Sequence, residues 1–188
     1  MRVGALIVLA GLVACAGPPP TPTTTPEPEL PLRPAVPPLW RNVRSDAGEL
    51  QLVVPPDLIV FHTSGSIHAM RDGDAEVLTV AAVSPGQLVQ PRGDQTAAEW
   101  ADDGGWLTAG QGSVGDAPVR SREVLLPAGP AIELTTAYEL GEAGTRWTML
   151  YLIRTANGYG LLQVGGPGQP PDEPPDEVRL MRELIAFD

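Results

Sequence analysis

Lysine is missing from the 188-residue chain, so all twelve of its basic residues are arginine. Without lysine there is no Schiff-base chemistry, no Ser–Lys dyad and no phosphate-loop lysine. Cysteine occurs once, which rules out an internal disulfide framework and any cysteine-based zinc cluster. Basic charge is scarce overall: 23 acids stand against 12 bases, for a net charge of −11. That balance argues against nucleic acid, which needs a basic footprint, and against adhesion to anionic lipid through charge. Long apolar runs are also lacking. The one that exists, Val3 to Val13, is shorter than the ~17–25 residues of a transmembrane helix.

That run, preceded by Arg2 and the amino terminus, has the layout of an export signal. Leu12-Val13-Ala14-Cys15 closes it and resembles the bacterial lipobox. The resemblance implies a lipoprotein precursor in which Cys15 receives diacylglycerol and becomes the first residue after cleavage. The chemistry requires a thiolate, and the only cysteine stands at that position. A conventional cut after Ala16 is the rival, because Ala14-Cys15-Ala16 also fits an A-x-A site. Lipidation at Cys15, carrying palmitate-type acyl chains, is the expectation. Localisation follows: a bacterial cell membrane or outer membrane, with the chain facing periplasm or exterior. Ala16, rather than aspartate, after the cysteine favours the outer membrane in a two-membrane host.

The expected organisation is a signal peptide over 1–14, the lipidated Cys15 with a proline- and threonine-rich tether over 15–38, and one domain over 39–188. Gly17 to Pro38 holds ten prolines in 22 residues, a composition that can neither join a sheet nor continue a helix. The body contains ten of the arginines and 21 of the acids, so the charge of −11 belongs to it. A body of that size buries about 68–70% of its extended surface without staples.

Hydrophobic spacing predicts strands at Glu49–Val54, Ile67–Met70, Ala75–Val83, Val119–Leu126, Ile132–Leu140, Trp147–Ile153 and Tyr159–Val164. Asp72-Gly73 and Asn157-Gly158 mark hairpins, and Pro127-Ala-Gly-Pro130 and Gly141-Glu-Ala-Gly144 mark turns. Ile132, Leu134, Tyr138 and Leu140 fall on one face. Trp147–Ile153 is apolar on both faces and predicts a central strand covered on both sides. Gln95–Asp103 reads as a short helix capped by Asp94 and stopped by Gly104-Gly105. Asp176–Ile185 reads as an amphipathic helix with Leu180, Met181, Leu184 and Ile185 on one face. The predicted class is α+β: an antiparallel sheet of about six to seven strands packed against a few helices.

In element order the body resembles the PsbP-like fold and LpqN-type actinobacterial lipoproteins. The resemblance rests on Glu49-Leu-Gln-Leu-Val-Val-Pro-Pro56, a helix near Trp100, the four-strand run with Leu125-Leu-Pro-Ala-Gly-Pro130 at its first turn, and a closing helix before Phe187. It implies an α/β/α sandwich and a mostly non-enzymatic role docking on other proteins. No binding residue transfers with it.

Chemistry-bearing residues are few. His62 and His68, with acids such as Asp72 nearby, fit no recurring metal-ligand spacing. Ser64 lacks the G-x-S-x-G setting of a hydrolase nucleophile. Asp102-Asp103 read as a helix end rather than as carboxylates facing each other across a bond. Gly104-Gly105 and Gly165-Gly166-Pro-Gly168 lack a phosphate-cradling pattern. Trp100 and Trp147 read as core, Trp40 and Trp106 as candidates for a cleft. The expectation is therefore no enzyme, no cofactor and no metal. The chain is read as a lipid-anchored envelope lipoprotein whose domain binds another envelope protein, the alternative being a carrier or sensor of an apolar small molecule.

Overall fold

A computed structural model describes residues 29–71, 78–92, 99, 120–139 and 144–188. Among them, ten strands build two antiparallel sheets. The strands are β1 (Arg41–Arg44), β2 (Leu50–Val54), β3 (Leu58–His62), β4 (Ser66–Arg71) and β5 (Thr79–Val83), then β6 (Arg120–Leu126), β7 (Gly129–Glu139), β8 (Thr145–Thr155), β9 (Gly158–Pro167) and β10 (Ala186–Phe187). The small sheet has the order β1-β2-β10 and the large one β3-β4-β5-β9-β8-β7-β6. One α-helix has its bounds among the described residues, α1 (Asp176–Leu184), and a 3₁₀ turn covers Pro85–Gln87.

The small sheet and α1 lie against one face of the large sheet. Their Leu50, Leu52, Val54, Val178, Met181 and Ile185 join Ile67, Val80, Met149, Tyr151, Ile153 and Leu162 in the main core. The other face holds a second cluster of Leu88, Ile132, Leu134, Leu150, Leu152 and Leu161. β8 lies between β7 and β9 and is buried from Trp147 to Ile153, as its two-sided apolar run predicts. Trp147 pairs with Gly166 across the ladder, and a Cβ at Gly166 would stand 2.6 Å from its ring. The glycine-rich end of β9 therefore makes room for an indole.

The fold departs from the expectation in its helices. It is mainly β, with one bounded helix among the described residues in place of a few, because hairpins join most consecutive strands of the large sheet. Of the helix expected over 95–103, Glu99 is helical and the remainder lies outside the described residues. The turn after β6 is tighter than expected: Gly129 and Pro130 already belong to β7, paired with Leu126 and Leu125. Gly129 has φ +143, and a side chain there would meet the Arg154 carbonyl, so glycine is required. On α1 the buried stripe is Val178, Met181 and Leu184, with Leu180 half-buried. Strands β1, β3 and β10 were not expected from the sequence. β3 is joined to β4 by Ser64-Gly65, with the Thr63 N–H donating to the Ser66 carbonyl at 2.8 Å.

Candidate functional site

The β3–β4 hairpin brings together both histidines and the most exposed apolar side chains of the large sheet. Its register pairs Ile59 with Met70, Phe61 with His68 and His62 with Ile67. Side chains alternate along a strand, so Leu58, Val60, His62, Ile67, Ala69 and Arg71 share the core-side face. Ile59, Phe61, Ser66, His68 and Met70 share the other. The two histidines thus point to opposite sides of the sheet and cannot share a metal ion or a proton relay.

Each histidine has its own partner. His62 Nδ1 lies 2.7 Å from Asp46 Oδ1, with both side chains about half exposed. His68 Nε2 lies 3.1 Å from Ser66 Oγ, which in turn contacts Thr63 Oγ1 at 2.8 Å. A serine–histidine pair is therefore present, but the acid that would orient it sits with the other histidine across the sheet. Ser64 is an exposed turn residue. Among the described residues there is no group of three or more His, Cys, Asp and Glu placed to hold a metal.

On the outward face Ile59 is 44% exposed, Phe61 55% and Met70 43%. Val89, on the segment after the 3₁₀ turn, is 52% exposed. No acid occurs between Leu58 and Arg71 in a body that carries 21 of them. The outward face of the hairpin is thus an apolar island on an acidic protein, while His62 and Arg71 on the opposite face are met by Asp46, Asp57 and Glu177.

Two ionic clusters tie α1 to the large sheet, and the sequence reading missed both. Near the helix N-terminus, Arg71 of β4 donates to Asp57 Oδ2 at 2.6 Å and to Glu177 Oε2 at 2.9 Å. The Arg71 hydrogen bond holds the Asp57 carboxyl below the usual carboxylate range, and both acids raise the Arg71 guanidinium further. Towards the other end, Arg182 donates to Glu133 Oε2 at 2.8 Å and Arg122 to Glu133 Oε1 at 2.7 Å. The Glu133 side chain is 5% exposed and that of Arg182 14%. The Arg182 guanidinium stands 5.4 Å from the Tyr151 ring centre. Burial, and then the charge of Glu133, push the Tyr151 hydroxyl well above its ordinary pKa. Glu133 alternates with Ile132 and Leu134, a pattern that normally sets a polar residue in water. Here α1 covers that side of β7 and Arg182 reaches the carboxylate from it.

The remaining sequence candidates fall as follows. Trp147 is core, and Trp40 is half-buried and packed against the same core. Cys15, Asp72, Asp102, Asp103, Trp100, Trp106 and Gly104-Gly105 lie outside the described residues. Among the described residues no helix is long and apolar enough to cross a membrane.

No family model and no curated protein matches the chain. Among solved structures, it is similar to a crystal structure from Bacteroides thetaiotaomicron VPI-5482 at 12% identity and a TM-score of 0.48. The match covers 80% of this chain and 49% of that one, so this chain spans about half the length of that protein. A likeness of that size assigns neither fold family nor activity.

Proposed function

We propose that the protein is a non-catalytic bacterial envelope lipoprotein, anchored through Cys15, whose domain docks another envelope protein through the outward face of the β3–β4 hairpin. The observation that carries the reading is the trio Ile59, Phe61 and Met70, exposed together on an acid-free hairpin of an acidic domain. Contiguous exposed apolar surface marks interaction sites on soluble domains. His68, on the same face, offers an imidazole to a polar group at the rim of the partner's apolar contact. A non-catalytic role is supported by the division of the histidines: among the described residues, Ser66–His68 has no acid on its own face. Kinship with PsbP-like and LpqN-type proteins is part of the same proposal, supported by the long antiparallel sheet and the closing helix before Phe187.

The test is site-specific photocrosslinking in cells of the host. A photoreactive side chain at Phe61 should form one discrete protein adduct that the Ile59→Ser/Met70→Ser variant abolishes, while the same probe at Glu123 on β6 forms none. Adducts of equal yield at both positions, or an adduct at Phe61 that survives the double substitution, would overturn the docking reading.

A further inference from the structure

The stretch that leads into β1 is unusual in where it puts its leucines. Leu30 is 43% exposed, Leu32 95%, Val36 50% and Leu39 84%. Pro34 and Pro37, three residues apart, are half-buried while their neighbours are open. Three is the repeat of an extended proline-rich helix, so one edge rests on the body and two edges face out. Arg33 fastens the stretch by donating to the Ile185 carbonyl at 3.3 Å. The chain then turns, with Trp40 N–H donating to the Pro37 carbonyl at 3.2 Å, and Trp40 packs half-buried against the core.

Leu39 sits at the third position of this turn with φ +71, the only positive φ of a non-glycine residue among the described residues. A turn of this kind with Pro38 at its second position favours glycine at the third. A leucine in the left-handed region is strained by clash between its Cβ and backbone. The strain secures no packing, because the side chain is almost wholly in solvent. A bulky residue held in a strained, exposed position points to a contact made outside the domain.

Charge indicates what that contact is. From Glu29 to Arg44 three arginines, Arg33, Arg41 and Arg44, stand against one glutamate, in a chain whose net charge is −11. All three arginines are exposed, though their guanidiniums also reach Ile185, Leu58 and Gln51. Exposed leucines with arginines in the same stretch suit the boundary between acyl chains and anionic headgroups. The ridge begins 15 residues after Cys15 in sequence, which brings it within reach of any bilayer that cysteine is anchored in. It leads into the small sheet, on the opposite side of the large sheet from Ile59, Phe61 and Met70.

We infer that the ridge formed by Leu30, Leu32, Val36 and Leu39 rests in the surface of an anionic lipid bilayer and turns the β3–β4 hairpin away from it. The inference rests on the Cys15 anchor for its proximity to lipid. The mass of the mature chain, which shows whether Cys15 is acylated, tests that anchor separately.

The experiment uses the full chain expressed in a bacterial host, purified from membranes and reconstituted in vesicles of phosphatidylethanolamine and phosphatidylglycerol. A nitroxide is placed on Ala35→Cys within the ridge and, in a second sample, on Ser121→Cys at the β6 edge. Collisions with oxygen should exceed collisions with a water-soluble nickel chelate at position 35, with the reverse at position 121. Leu39→Gly should move the ridge towards water by about tenfold in partition, the share of one well-inserted leucine. The same substitution should raise the melting temperature, since it removes strain and no packing. Equal water exposure at 35 and 121 in an acylated protein would overturn the inference, as would shielding of position 35 from both reagents, which would mean a second copy covers the ridge. A lower melting temperature for Leu39→Gly would also overturn it, by making Leu39 a structural residue.

Discussion

The two ends of α1 are fastened to the large sheet by ionic clusters of opposite character. At the N-terminal end an acid of the helix, Glu177, meets an arginine of the sheet; towards the C-terminal end an arginine of the helix, Arg182, meets an acid of the sheet. Both arrangements agree with the helix dipole, which favours acids in the first turn and arginine in the last. They differ in burial. Arg71, Asp57 and Glu177 are 32%, 52% and 42% exposed, whereas Glu133 is 5% and Arg182 14%. Water screens the first cluster; in the second Arg122 is 49% exposed, but little water reaches the Glu133–Arg182 pair. Identical chemistry therefore has different consequences at the two ends: the outer cluster is a weak tether, and the inner one commits β7 and α1 to one mutual placement. Arg182 Nε is buried without a hydrogen-bond partner, so the inner cluster retains part of its desolvation penalty.

The largest expected effect comes from breaking the inner cluster. Arg182→Ala leaves Glu133 buried with Arg122 as its one partner, and urea unfolding should show a loss near the lower end of the ~3–5 kcal/mol typical of an orphaned buried charge. Replacing both charges, Glu133→Leu with Arg182→Met, should return stability to within about 1 kcal/mol of the parent or above it. If the double variant is as weak as the single one, the cluster matters for its packing rather than for its charge. A smaller effect belongs to Tyr151. Its folded-state pKa is raised, so its stabilising contribution is complete below the ordinary tyrosine value of ~10 and is lost as pH climbs through the raised one. Thermal melts of the parent should fall at strongly alkaline pH, and Tyr151→Phe should fall less. The smallest effect is at the outer cluster. Arg71→Ala should cost about 0.2–1 kcal/mol at low salt. The Asp57 part of that difference, present above ~3.9, should fade as pH drops through the lowered Asp57 value. An Arg71 effect as large as that of Arg182, or one that salt leaves unchanged, would erase the distinction between the clusters.

Much of the sheet was legible because its signals are local. The run Trp147–Ile153 has no polar face, so it could only be a central strand. Asn157-Gly158 announced a hairpin that the register of β8 with β9 bears out. By contrast, β4 and β5 pair as expected but not through a two-residue turn at Asp72-Gly73: Met70 pairs with Thr79, and residues 72–77 lie outside the described residues. Strand β3 escaped notice because Pro55-Pro56 reads as a stop and Ser64-Gly65 as a loop. Leu58-Ile-Val-Phe-His before that pair was the available signal for a two-residue turn. Of the candidate site, His62 and His68 were visible as residues, but not their separation. Six positions along the chain say nothing about sides of a sheet until the turn that joins two strands is known.

By itself the sequence determined composition-level properties: no lysine, one cysteine in a lipobox-like setting, a proline-rich lead-in, an acidic body and a meander of alternating strands. These follow from covalent and nearest-neighbour constraints, namely the φ of proline, the turn preference of glycine and the two-residue period of a strand. Only the tertiary structure decided that Glu133 is buried rather than solvated, that the histidines face apart, and that Leu39 is held strained and exposed. Each of those depends on which surfaces cover which, and residues far apart in the chain supply the cover: Arg182 lies 49 positions from Glu133, and Ile185 lies 152 from Arg33.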